Sequence, residues 1–207
     1  MRSPRPLKDQ ARRPARRSAP LILIVTEGAE TEPRYFEALK VCWRLTGVKV
    51  KKASASAPIN VVETSIRLRD EAARASRGSA IQSPYDDVWA VIDQDQHSTL
   101  NEAQSLARRE GVKVAFSKPC FELWLLLHFL PSLKPLASPD HVRAELLGHL
   151  PRFSKSMEME ELVGRADQAL ANAEIVEMRL KGIGMADYPS TTVHYLVRTL
   201  ATLRREP

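Results

Sequence analysis

The segment Val88-Trp89-Ala90-Val91-Ile92 is apolar at every position and ends in two carboxylates, Asp93 and Asp95, with one residue between them. A run of strand length with no polar alternation reads as a strand covered on both faces, which points to a parallel sheet. In open α/β sheets the ligand lies beyond the carboxyl ends of the strands, where Asp93 and Asp95 emerge. Two like charges so close repel each other, and a hard divalent cation such as Mg²⁺ relieves the repulsion. Asp also closes strands for backbone reasons, and D-x-D occurs in glycosyltransferases and phosphatases as well. Both readings stand on the motif alone, although a phosphatase of the aspartyl type carries its D-x-D on the first strand rather than the third.

A second run, Pro20 to Thr26, is equally apolar and ends in Glu27-Gly28. Thr31, followed by Glu32 and Pro33, reads as a helix N-cap with proline in the first turn. The spacing predicts a helix from Pro33 to Leu45, with Tyr35, Phe36, Leu39, Cys42 and Trp43 toward the core and Gly47 as its stop. Strand Val48 to Ala53, helix Ile59 to Ser76, helix Thr99 to Glu110 closed by Gly111, and strand Val112 to Phe116 complete the alternation. After Pro119 no strand is expected. Phe121 to Leu130 reads as a helix apolar nearly all round, followed by helices at Asp140 to Leu150, Met157 to Leu180 and Thr192 to Arg205. The expected fold is α/β: a parallel sheet flanked by helices, spanning 19–118, with a helical C-terminal region, 119–207, packed on it.

Residues 1–18 carry seven basic side chains against Asp9, a charge of +6 that equals the formal charge of the whole chain. The rest is neutral, so the basic character belongs to a proline-containing tail that reads as disordered. Arg12, Arg13, Arg16 and Arg17 within it are candidates for a nucleic-acid tether, against a plain solubilising leader. No apolar run approaches the roughly 20 residues that a membrane span needs, and no signal peptide is visible. Cys42 and Cys120 read as reduced thiols, so a cytoplasmic protein is expected.

If the first and third strands are neighbours in one sheet, Glu27, Asp93 and Asp95 open onto the same rim, where three carboxylates can hold Mg²⁺ or Mn²⁺ while one serves proton transfer. Glu122 is the acidic residue in an otherwise apolar run, and burying an unpaired carboxylate costs several kcal/mol (roughly) unless it finds a cation, donor or water. Its plainer role is to complement a helix dipole, and the same choice applies to Glu32. His97, Lys118, Ser190 and Thr191 are candidate phosphate contacts, set against a solvated loop, a solvated lysine and an ordinary helix cap. His128, inside the apolar helix, reads as a satisfied core histidine.

Three blocks resemble a known family: Ile24-Val25-Thr26-Glu27-Gly28 with Thr31-Glu32-Pro33-Arg34-Tyr35-Phe36; Val88 to Asp95; and Pro119-Cys120-Phe121-Glu122-Leu123-Trp124-Leu125-Leu126-Leu127-His128-Phe129. A fourth, Pro189-Ser190-Thr191-Thr192-Val193-His194, lies near the end. The pattern is similar to the Toprim domain of topoisomerases, primases and OLD-family nucleases, and closer to the RloB family of Toprim-like proteins from bacterial restriction and abortive-infection loci. The resemblance implies a Toprim-like fold and metal-dependent phosphodiester chemistry. It assigns Glu27 an acid/base or ligand role, Asp93 and Asp95 the Mg²⁺, and Glu32 and Glu122 further places in the site. Ala29 and Glu30 depart from the family pattern, where an acidic and then a basic residue are expected.

The function expected is a Mg²⁺-dependent nuclease cutting DNA or RNA in anti-phage defence, with the neighbouring ATPase partner that the resemblance implies; this chain has no Walker A motif, so any ATP hydrolysis comes from elsewhere. The alternative is a non-catalytic accessory or sensor subunit that binds nucleic acid or nucleotide. Homo-oligomerisation is left open.

Overall fold

The computed structural model describes residues 19–77, 84–94, 99–131, 136, 138–183 and 188–204. The calls on Asp95, His97 and the four tail arginines lie outside these residues.

Both apolar runs are strands: β1 (Ile22–Thr26) and β3 (Asp87–Asp93). With β2 (Val48–Lys52) and β4 (Lys113–Lys118) they form a parallel sheet in the order β2-β1-β3-β4, to which β5 (Ser190–Thr191) adds antiparallel to β4. The pleat sends alternate side chains to opposite faces. Ile22, Ile24, Trp89 and Val91 enter one core, while Leu23, Val25, Val88, Ala90 and Ile92 enter the other. That division is why neither strand shows polar alternation.

Right-handed crossovers fix which helix covers which face. From β1 the chain steps outward to β2 through α1 (Thr31–Cys42). It then returns across β1 to β3 through α2 (Pro58–Ser76) and continues in the new direction to β4 through α3 (Leu100–Glu110). The reversal puts α1 on one face and α2 with α3 on the other, matching the two cores. It also leaves the β3–β4 half of the first face bare. The helical region fills it with α4 (Glu122–Leu126), α5 (Pro139–His149), α6 (Glu160–Val163), α7 (Ala166–Ile183) and α8 (Val193–Ala201), all sharing the core of α1.

Several expectations change. Thr31 is the first residue of α1, not its cap, and no side chain caps that helix. The helix ends at Cys42, so Trp43 takes the core position and Cys42 is exposed; Arg44, at φ 54°, turns the chain there before Gly47. Gly47 is needed for close approach instead, because a Cβ would overlap the Pro20 carbonyl. The apolar helix after Pro119 is only Glu122–Leu126, after which the chain tightens into turns in which His128 N–H and Phe129 N–H donate to carbonyls three residues back, at 3.1 and 3.0 Å. The segment expected as one helix from Met157 to Leu180 is broken around Gly164 into α6 and α7. A short strand, β5, does follow Pro119; its partner is the edge of β4, and so remote a pairing leaves little local pattern.

His128 is a core histidine, 1% exposed. Nδ1 lies 3.1 Å from the Trp124 carbonyl and Nε2 lies 3.1 Å from the Tyr35 hydroxyl. The carbonyl can only accept, so Nδ1 carries the proton and Tyr35 donates to Nε2. Burial pushes the imidazole pKa down to about 4, and the ring stays neutral at ordinary pH.

Candidate active site

The reversal of strand order falls between β1 and β3, where open α/β sheets bind ligands beyond the strand ends. Glu27 leaves β1 and Asp93 ends β3 at that point. Glu27 N–H continues the sheet pairing to the Val91 carbonyl at 3.1 Å, and Glu27 Oε2 accepts from Asp93 N–H at 3.1 Å. The two candidate residues are thus held in register by the sheet that carries them.

Gly28 turns the chain out of β1, and its N–H donates to Glu32 Oε1 at 3.0 Å. A Cβ at Gly28 would overlap the Glu32 carboxylate, so glycine is what lets that carboxylate sit against the turn. Glu32 is buried, 6% exposed. Burial raises its pKa first, the Gly28 N–H opposes the rise, Glu122 adds to it, and the Lys155 ammonium lowers it.

Asp93 Oδ2 accepts from Phe121 N–H at 3.1 Å, which ties β3 to the entry of α4. Its other oxygen, Oδ1, is out of contact with solvent and has no hydrogen-bond partner among the described residues. A buried carboxylate oxygen without a donor is costly. Asp93 responds with a pKa well above the ordinary carboxylate value, caused first by burial, then by Glu32, and further by Glu27 and Glu122. The Cys120 thiol is held protonated by burial and by the same Glu122 charge.

Glu27, Glu32, Asp93 and Glu122 line one cavity of about 380 Å³. Two further walls come from the helical region, with Asp140 and Arg143 on α5 and Lys155 on the segment between α5 and α6. Sequence reasoning missed these three. Nothing in their local sequence marks them, and only the packing of the helical region over the rim brings them in.

Among the described residues, no three His, Cys, Asp or Glu side chains meet in a geometry that could hold a metal ion. Glu27 and Glu32 each accept a backbone N–H with one oxygen. Asp93 Oδ1 is the atom that fits a cation, being buried, acidic and without a donor.

Lys118 ends β4 on the same side of the sheet but does not line the acidic cavity. Ser190 and Thr191 are placed elsewhere. Thr191 Oγ1 lies 3.1 Å from Ser117 Oγ and accepts from Val193 N–H at 3.2 Å, stitching β5 to β4 and to the start of α8. Both line a different cavity of about 360 Å³, floored by Leu123, Leu127, Val176 and Leu180. The Thr191 hydroxyl serves the fold there, and neither residue lines the acidic cavity.

No described helix is long and apolar enough to cross a membrane. No curated protein and no solved structure matches the chain. The family model described as RloB-like protein matches residues 22–200, from the first residue of β1 to the last turn of α8. With that match covering the sheet, the acidic cavity and the helices packed over it, the chain belongs to the RloB-like protein family.

Proposed function

We propose that this chain is a nuclease that hydrolyses phosphodiester bonds in the acidic cavity with the help of Mg²⁺ or Mn²⁺. The observation that carries the reading is the orphaned Asp93 Oδ1, buried among Glu27, Glu32 and Glu122 at the point where the strand order reverses. Asp93 and Glu27 would hold the ion, with Asp95 supplied from beyond the described residues and Glu32 behind them. A bound divalent ion would neutralise the carboxylates and stabilise charge developing on a phosphoryl oxygen. Phe121 N–H and the sheet register orient Asp93 for that task. Glu27 is the candidate for moving a proton of the attacking water. Glu122 adds negative charge to the cavity, and burial, reinforced by that charge, keeps Cys120 protonated.

The family resemblance extends this proposal to anti-phage defence, with ATP hydrolysis left to a separate partner protein, and to a cytoplasmic setting. A second reading, an accessory subunit that binds nucleic acid or nucleotide without cutting, draws support from the commitment of Glu27 and Glu32 to backbone donors. A substrate panel decides between them. Supercoiled, duplex and single-stranded DNA, RNA and tRNA are incubated with wild type, Glu27→Gln and Asp93→Asn, each in Mg²⁺, Mn²⁺ or EDTA. Cleavage by wild type alone, abolished by EDTA, is expected. Binding without cleavage in every metal leaves the accessory reading in its place.

A further inference from the structure

We propose that Arg143 and Lys155 form a phosphate-binding wall facing the acidic rim, and that the strand they grip is single-stranded nucleic acid. This rests on the nuclease reading for its choice of ligand, but its test is a binding measurement.

The cavity joins opposite charges. Its acids are Glu27, Glu30, Glu32, Asp93, Glu122 and Asp140, and its cations are Arg143, on α5 with Asp140, and Lys155 on the segment that follows. A wall of carboxylates by itself repels every phosphate. A phosphodiester enters such a site only when a cation sits against the acids and fixed positive groups hold the outer oxygens. Arg143 is exposed on α5 and rests its guanidinium over the Phe153 ring, 6.0 Å from the centroid. That contact steadies a long side chain while leaving its N–H fork for an anion, the geometry in which Arg outperforms Lys. Lys155 is exposed too, yet close enough to Glu32 to lower the pKa that burial raises. Phe153, two residues before Lys155, anchors that segment in the core.

Size points to the form of the strand. A cavity of about 380 Å³ belongs to the small-molecule class and takes on the order of one nucleotide. Asp93 Oδ1, the proposed ligand atom, lies out of solvent, so a phosphate must descend toward it. A flexible single strand can bend a phosphate inward, whereas a paired duplex presents its phosphates on a stiff convex surface.

The experiment uses the full chain, with wild type, Arg143→Ala, Lys155→Ala and the double variant. Fluorescence anisotropy with a labelled single-stranded oligonucleotide and its duplex is read across a salt series in Ca²⁺, a hard cation that takes the same oxygen ligands. Thermal melts run alongside, and both side chains are exposed enough that melting should stay at the wild-type value. Each single variant is expected to weaken single-strand binding about 3- to 10-fold and to lower the log–log salt slope by about 0.7. The double variant should lose about twice that slope, and duplex should bind wild type more weakly than single strand. Wild-type affinity and slope in both variants, stronger binding of duplex, or no binding by wild type overturns the proposal. If the variants lose binding as expected but no metal supports cleavage by wild type, the nuclease reading falls and the phosphate wall stands. Cleavage with unchanged KM in both variants would show the reverse.

Discussion

The side chain of Glu27 accepts a hydrogen bond from the backbone N–H of Asp93 at 3.1 Å, across the boundary between β1 and β3. An acid at the end of one strand is thereby fixed to the backbone of the acid at the end of the next. Parallel pairing of Thr26 with Val91 sets the offset that makes the contact, so the geometry belongs to the sheet and not to a mobile loop. Four experiments follow from how this pair is embedded.

Asp93→Asn keeps the Phe121 N–H contact through its carbonyl oxygen and turns an amide toward the place of Oδ1. A donor there meets surrounding carboxylates instead of repelling them. Apo stability is expected to rise by about 1 kcal/mol in urea unfolding with EDTA. Mg²⁺ or Mn²⁺ should raise the melting temperature of wild type more than that of the variant. A larger metal-induced shift in Asp93→Asn would contradict the assignment.

Glu27→Gln preserves the acceptor for Asp93 N–H but removes the charge and the base. Melting should change little, while kcat for cleavage falls by about 10²- to 10⁴-fold. Retention of wild-type kcat would remove Glu27 from the chemistry and leave it a structural acceptor.

At Gly28, alanine forces the Glu32 carboxylate off the Gly28 N–H, losing a charge-assisted hydrogen bond of 3.0 Å. The cost is roughly 1.5–3 kcal/mol, and Glu32 is pushed toward the other acids. Gly28→Ala should therefore weaken metal-induced stabilisation, and Gly28→Ala combined with Glu32→Gln should recover part of the lost stability. No recovery in the double variant would mean that the strain lies in the backbone.

For His128 the sign of the pH dependence follows from its low folded pKa of about 4, against 6.5 for the free group. Between those values the unfolded chain binds the proton and the folded chain does not, so stability falls as pH drops from 6.5 to about 4. The full loss is roughly 3 kcal/mol. Asp93 and Glu32, with raised pKa values, act in the opposite sense, so the comparison to make is between wild type and His128→Gln. Urea midpoints measured from pH 7 to 4 should decline less in the variant; parallel curves would exclude His128 as the source.

How much of this was legible in the chain itself differs from one residue to the next. The two unbroken apolar runs stated that β1 and β3 are covered on both faces, and the carboxylates at their ends stated where a site could open, because burial of successive residues is a local property. The RloB-like blocks carried the family. Local pattern overextended the helix after Pro119, since an apolar surround looks the same for a helix and for the tight turns that follow Leu126. It also missed β5, a two-residue strand held by Ser117 and Lys118 far away in sequence.

What only the tertiary structure decided is which charges face one another. That β1 lies beside β3 rather than outside β2 is a matter of sheet order, and it alone joins Glu27 to Asp93. Arg143 and Lys155 look like ordinary surface cations in their own segments. They reach the acids because the reversal of strand order bares half of one sheet face, and the helical region must bury its apolar side there, carrying α5 and the following loop over the rim. Burial of individual strands is written residue by residue, whereas the meeting of acid and base across a cavity depends on packing between remote segments, which no local spacing encodes.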